Sequence, residues 1–476
     1  MNQHRLTNFK FNAQFNGRLT FQDKNKDCLE GAPWTSRLLA LKLVLKLALS
    51  MLFVLPQLLS AAPDIKPSGE TTEQISAPAV PGTSCLTAPF KITLSGRESS
   101  VDSILTGADQ TNLYLPLLKG KRVAVLANPS SIIGGVSLID SLLSLGVHVV
   151  KIFGPEHGFR GSASNGAAVG NETDAKTGIP IISLYGKKKS PSEADLANVD
   201  IFIFDIQDVG CRFYTYINVL RNVMQSCAKY HKPLLVLDRP NPNGYLIDGP
   251  VLDMRLKSGI GQFPIPIAYG MTIGEFARMI NGEGWLQNGL HCDLKVIKLA
   301  GYNHHTDYTL PVAPSPNLNT QQSILLYPTL CLFEGTIISQ GRGTYFPFTV
   351  LGAPLLKGKY DFSFKPEGIQ GMSEHPLHEN QRCYGLDLRH FDTQQLKASG
   401  KLHLEWLLEL YDAYPDKARF FDRSQSPQMG NFDYLAGNYE LKKQIIDHWS
   451  IEKIRASWEP GLKAFKKIRR KYLLYP

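Results

Sequence analysis

From Arg122 onward the chain repeats one pattern: short apolar runs that end in polar, glycine-bearing loops, separated by segments with helical spacing. Residues 122–127 (RVAVLA), 147–153 (VHVVKIF), 179–184, 199–206 (VDIFIFDI) and 234–238 (LLVLD) read as strands. Their apolar residues run on rather than alternate, as in strands covered on both faces. Residues 137–145 and 214–230 between them have helical spacing. Strands alternating with helices build βαβ units, and right-handed crossovers make such a sheet parallel. The expected fold class is α/β, with a Rossmann-like parallel-sheet domain over residues 99–292. After residues 293–299 (DLKVIKL) loops lengthen and fill with Pro, Gly, Asn and Tyr, and helices such as 402–411 and 441–448 come late. A smaller α+β domain is therefore expected over 293–476. Thr272 with Glu275 three residues on predicts a capping box opening a helix over 273–281.

In a parallel sheet every carboxyl strand end faces one rim, where open α/β sheets build their sites. The residues arriving there are Asn128; Glu156, His157 and Arg160; Tyr185; Asp205, Gln207, Asp208 and Arg212; and Asp238, Arg239 and Asn241. The run 154–161 (GPEHGFRG) places a carboxylate, an imidazole and a guanidinium between glycines that admit close backbone approach. The run 205–216 (DIQDVGCRFYTY) adds acid, amide, guanidinium and the phenols of Tyr214 and Tyr216 directly after a strand of Ile and Phe. Several carboxylates with amides and arginines on one rim suit a polyhydroxylated, anionic substrate and acid/base chemistry on it. The plainer alternative is that Asp205 and Asp238 cap turns or pair with Arg212 and Arg239, and that Tyr214 and Tyr216 are packing aromatics. Asn317 in 314–320 (PSPNLNT), and Glu334 and Arg342 in 334–348 (EGTIISQGRGTYFPF), are what the second domain adds.

Several function classes find no support. No G-x-G-x-x-G follows the first strand and no P-loop exists, so no nucleotide cofactor is expected. His304 and His305 are adjacent and His157 has no second histidine at ligand spacing, so no metal is expected. No G-x-S-x-G elbow exists for a nucleophilic serine. The formal charge is +9, but residues 1–62 hold eight Lys/Arg against three Asp/Glu and so carry +5, which leaves +4 for the rest. That is too little, and too scattered, for nucleic acid. Seven cysteines show no C-x-x-C pair. Residues 38–59 form an apolar run after a basic stretch, ending in Ser60-Ala61-Ala62. Residues 1–62 are thus expected to be a signal or leader segment that exports the protein to the periplasm or cell envelope. If the leader is not cleaved, it is the only expected contact with the membrane. Residues 63–98, rich in Pro, Ser, Thr and Gly, read as a flexible linker.

Eight segments, in order, resemble the exo-β-N-acetylmuramidase family: LKGKRVAVLANPSS, FGPEHGFRG, TGIPIISLYG, DIQDVGCRFYTYI, LDRPNPNG, YGMTIGEFA, PSPNLNT and EGTIISQGRGT. The resemblance runs from about Leu118 to the C-terminus. It implies a two-domain enzyme with no metal or cofactor that removes N-acetylmuramic acid (MurNAc) from non-reducing ends of peptidoglycan fragments, muropeptides and MurNAc-GlcNAc among them. The family's proposed catalytic glutamate falls on Glu156, and Asp205, Asp208 or Asp238 could supply a second carboxylate. Muramic acid differs from glucosamine by a lactyl carboxylate, for which Arg offers a planar bidentate partner; Arg160, Arg212, Arg239 and Arg342 are the candidates. Family members carry Asn where Ile337 stands and usually Trp where Leu355 follows Gly-Ala-Pro. A non-catalytic carbohydrate-binding protein, or another cell-wall hydrolase such as an amidase, are the alternatives.

Overall fold

Seven strands form the central sheet of the computed structural model, which describes residues 104–156, 158–159, 172–422 and 431–476. In chain order they are β1 (Val123–Ala127), β2 (Val149–Gly154), β3 (Glu172–Thr173), β4 (Pro180–Ser183), β5 (Ile201–Asp205), β6 (Leu234–Leu237) and β7 (Leu294–Ile297). Across the sheet the order is β7-β6-β5-β1-β2-β4-β3. All neighbours are parallel except the short edge strand β3, which runs antiparallel to β4. The chain winds outward from β1 through β2 and β4, then returns to the other side of β1 for β5, β6 and β7. The loops after β1 and β5 therefore part in opposite directions, which opens a crevice at the carboxyl rim.

Both faces of the sheet are covered, which is why its strands read as unbroken apolar runs. Val123, Val125, Ile203, Leu235 and Leu237 belong to one buried cluster, and Ala124, Leu126, Phe202, Phe204 and Val236 to the other. Successive side chains point to opposite faces. Each large side chain so buried contributes roughly 1.5–3 kcal/mol. The second cluster continues without a break into Leu326, Phe333, Leu410 and Trp458 of the C-terminal half. One apolar core thus joins the sheet to the C-terminal half.

The helix Tyr216–Lys229 crosses from β5 to β6, and Ile273–Gly282 opens with the expected reciprocal cap between Thr272 and Glu275. The boundary expected at 292/293 is corrected by β7: its four residues pair in register with β6, so the sheet runs past that point. Leu294–Ile297 belong to the sheet, and the side chains of Leu294, Val296 and Ile297 pack into the apolar clusters on its faces. Beyond it come the helix Gln321–Leu330, a three-stranded antiparallel sheet of β8 (Val350–Ala353), β9 (Ser363–Phe364) and β10 (Cys383–Asp387), and the late helices Glu405–Ala413, Glu440–Ile446 and Ile451–Arg469. The basic tail 463–471 lies largely on the last of these helices. The leader, the linker, His157 and Arg160 lie outside the described residues.

Candidate active site

Below the rim lies a layer of polar side chains that stitch strand ends to one another. Asp205 closes β5 and is fully buried. Arg239, just after β6, grips it with two bonds, Nε to Oδ1 at 2.5 Å and Nη2 to Oδ2 at 2.8 Å. The same Nη2 donates to the Ile132 carbonyl at 3.1 Å, which ties in the loop after β1. Gln207 donates to the carbonyls of Asp208 and Pro240, and Asn241 to that of Met271. Asp238 accepts from Thr272 Oγ1, Tyr475 Oη and the Gly274 N–H, and so caps the helix Ile273–Gly282. Arg212 is fully buried and spends its terminal nitrogens on four carbonyls, those of Pro250, Ile265, Leu435 and Ala436. Burial without a counter-charge pulls it down to about 9. Asp208 takes the Tyr269 hydroxyl and the Gly210 N–H on Oδ2, while its Oδ1 has no partner. Burial pushes its carboxyl up to about 6.

These placements correct the sequence expectation. Asp205, Gln207, Asp208, Arg212, Asp238, Arg239 and Asn241 reach the rim, but none of them lines the cavity that opens above it. They are buried because strand ends expose unpaired backbone groups that something must satisfy. Asn128 is also one step removed, donating to Tyr216 Oη at 3.1 Å from behind.

The cavity holds about 440 Å³, within the range of small-ligand sites. Glu156, Tyr185, Tyr214 and Tyr216 border it from the loops after β2, β4 and β5. Gly158, at φ +73°, donates its N–H to the Pro155 carbonyl at 3.0 Å, and this tight turn presents Glu156 half-buried at the cavity wall. The positive φ explains the glycine at that position. Tyr185 shares a hydrogen bond with Glu156; burial first, then the glutamate's charge, push its phenol up to about 12. Burial likewise raises Tyr216 to about 12. The phenols around Glu156 therefore remain protonated donors at neutral pH. Tyr214 packs edge-on against Tyr216 with ring centroids 4.9 Å apart and donates to the Pro314 carbonyl at 2.8 Å. They are both packing aromatics and cavity wall.

The C-terminal half contributes Asn317, Tyr327, Glu334, Arg342 and Phe348 to the lining of the same cavity. Glu334 Oε1 accepts from Arg342 Nε at 2.6 Å and from Gln340 Nε2 at 3.0 Å. Arg342 lies over the Phe348 ring, 5.0 Å from its centroid. Among the described residues only its Nε is engaged in a hydrogen bond, so both terminal nitrogens are left over on a residue that borders the cavity. Asn317 donates to the Met372 carbonyl and leaves its Oδ1 buried and unpaired, as does Asn218 on the helix Tyr216–Lys229. Both amides border the cavity. Of the four arginine candidates, then, Arg212 and Arg239 are structural, Arg160 lies outside the described residues, and Arg342 stands on the wall. The second carboxylate there is Glu334, not an aspartate of the rim.

Sequence reasoning missed Asn218, Asn222 and Tyr327 as cavity residues. The only sequence signal was the i, i+4 spacing of the two amides on one helix face. Ile337 and Leu355, where the chain departs from the family pattern, do not border the cavity.

Comparison with known proteins agrees along the chain. Residues 123–322 match the family model described as exo-beta-N-acetylmuramidase NamZ, N-terminal, and residues 325–475 match the C-terminal model of the same family. A protein of Bacillus subtilis (strain 168) described as peptidoglycan beta-N-acetylmuramidase NamZ is 39% identical over 378 residues, which covers 76% of this chain and 89% of that protein. Two solved structures of DUF1343 family proteins from Bacteroides fragilis NCTC 9343 are also similar. One is 44% identical with a TM-score of 0.71, covering 79% of this chain and 99% of the other. The second is 30% identical with a TM-score of 0.67, covering 78% and 99%. With both family models matching in sequence order and a relative covered over most of its length, the chain belongs to the exo-β-N-acetylmuramidase family.

Proposed function

We propose that this protein is an exo-acting glycoside hydrolase that releases MurNAc from the non-reducing ends of peptidoglycan fragments such as MurNAc-GlcNAc. The observation that carries the reading is that Glu156 and Arg342 border one cavity from the two halves of the chain. A glycosidic oxygen must gain a proton as its bond breaks, and a muramic acid must find a partner for its carboxylate. Glu156 supplies the first and Arg342 the second. In the reaction the anomeric C–O bond breaks, the Glu156 proton goes to the leaving oxygen, and water delivers hydroxide to the anomeric carbon and a proton back to the carboxylate. Arg342 presents its free edge to the lactyl group while Glu334 and Phe348 hold the guanidinium in place. The phenols and the amide side chains that border the cavity fit the hydroxyl and acetamido groups of the sugar.

The test is incubation with MurNAc-GlcNAc and with the matching GlcNAc-terminated disaccharide. Release of free MurNAc with little cleavage of the glucosaminide supports the reading. Equal turnover of the two sugars, or of neither, would sink it. The basic and then apolar order of residues 1–62 supports export, which would put the enzyme beside its polymer in the cell envelope.

A further inference from the structure

A second, smaller cavity of about 200 Å³ opens beside the first, walled by Arg221, Met254, Lys257, Phe263, Pro264 and Trp285. Gln262 borders both cavities, so they adjoin. The helix Tyr216–Lys229 spans them: Asn218 and Asn222 border the large cavity, and Arg221 the small one. Arg221 Nη2 donates to Gln262 Oε1 at 2.6 Å, while its Nε is buried without a partner. Burial alone acts on this guanidinium and pulls it below its ordinary range, with no carboxylate to offset it. Lys257 adds an exposed second cation. Among the described residues neither has an ion-pair partner.

A half-buried guanidinium without a counter-charge is costly, and a bound anion would offset that cost. The anion's source follows from the polymer. Its glycan alternates a neutral N-acetylglucosamine with a muramic acid, so the next carboxylate after the one at Arg342 lies two sugars along. Phe263 and Trp285, ring centroids 5.2 Å apart, line the same cavity and give it an apolar wall suited to the C–H face of a sugar.

We propose that this cavity is a distal subsite that binds the carboxylate of a muramic acid on the reducing side of the bond that is cut. The assignment rests on the functional reading above and adds a preference for chains longer than a disaccharide.

The test is steady-state kinetics of the full chain on MurNAc-GlcNAc and on MurNAc-GlcNAc-MurNAc with a free lactyl group at its reducing end. Wild type should show the lower KM for the trisaccharide. Arg221→Gln should raise that KM about tenfold, with kcat on both substrates and KM for the disaccharide unchanged. Lys257→Gln, at an exposed position, should move the trisaccharide KM in the same direction by a smaller factor, and it decides the matter if Arg221→Gln does not fold. Equal KM values for the two substrates in wild type overturn the subsite, as does a loss in either variant common to both substrates. Unchanged trisaccharide kinetics in a folded variant do the same. Failure of wild type to cleave even the disaccharide overturns the functional reading instead.

Discussion

Asp205→Asn separates the two roles a rim aspartate could have. The side chain is fully buried and its partner Arg239 is 2% exposed, with two bonds of 2.5 and 2.8 Å between them. Asparagine keeps the shape but removes the charge, and its amide can turn a donor toward the guanidinium. Arg239 is then a buried cation whose counter-charge is gone, a loss that costs about 3–5 kcal/mol. At about 2.1 cal/mol/K per residue, the folded unit over 104–476 has an unfolding entropy of about 0.8 kcal/mol/K, so Tm should fall by about 4–6 °C. Because Asp205 does not border the cavity, kcat of the folded variant on MurNAc-GlcNAc at 25 °C should stay within about twofold, a margin far below the effect of losing an acid or base. Calorimetry and single-temperature kinetics on the same preparation give both numbers. Adding Arg239→Gln should recover part of the stability, since it removes the orphaned charge. The result that would refute this is an unchanged Tm with kcat lower by about 10² or more, which would return Asp205 to the chemistry.

Glu156→Gln should fold normally and lose activity on an unactivated disaccharide by about 10²–10⁴-fold; near-normal turnover there would remove Glu156 from the mechanism. An aryl glycoside with a good leaving group needs little protonation and would hide the loss. Arg342→Gln should cut the preference for muraminides over glucosaminides by about 10–100-fold, read as the ratio of kcat/KM values, and an unchanged ratio would point to Arg160 instead. Asp208 carries a pH signature: burial raises its folded value to about 6, so the folded state holds the proton that the unfolded chain releases near pH 4. Its contribution is favourable below pH 4 and is lost as pH rises to 6. Chemical denaturation at pH 4 and pH 7 should therefore show Asp208→Asn gaining on wild type by up to about 3 kcal/mol at the higher pH; a pH-independent difference would contradict the burial argument. For export, N-terminal sequencing of protein from its native host should find a start soon after Ala62, and an intact leader in a cytoplasmic fraction would exclude it.

The alternation of apolar runs and helical segments was enough to specify a parallel sheet, because burial on both faces leaves its mark residue by residue. The capping box at Thr272 and Glu275 was equally local, since both halves lie within one turn of helix. The loop carrying Glu156 could be singled out because its proline and glycines record a constrained backbone. Side-chain destinations were another matter. Asp205, Asp208 and Asp238 look in sequence like Glu156, charged residues just past a strand, yet three are buried beneath the rim and one borders the cavity. The difference lies in partners that arrive from far along the chain. Arg239 reaches Asp205 across 34 positions, Tyr475 reaches Asp238 across 237, and the Leu435 and Ala436 carbonyls reach Arg212 across more than 220. The cavity's C-terminal lining had the same origin, since Glu334 and Arg342 join Glu156 around one cavity only because the apolar core continues through both halves of the chain. Local sequence encodes periodicity and backbone constraint, whereas which charge is stitched in and which stays at the ligand is decided by long-range packing.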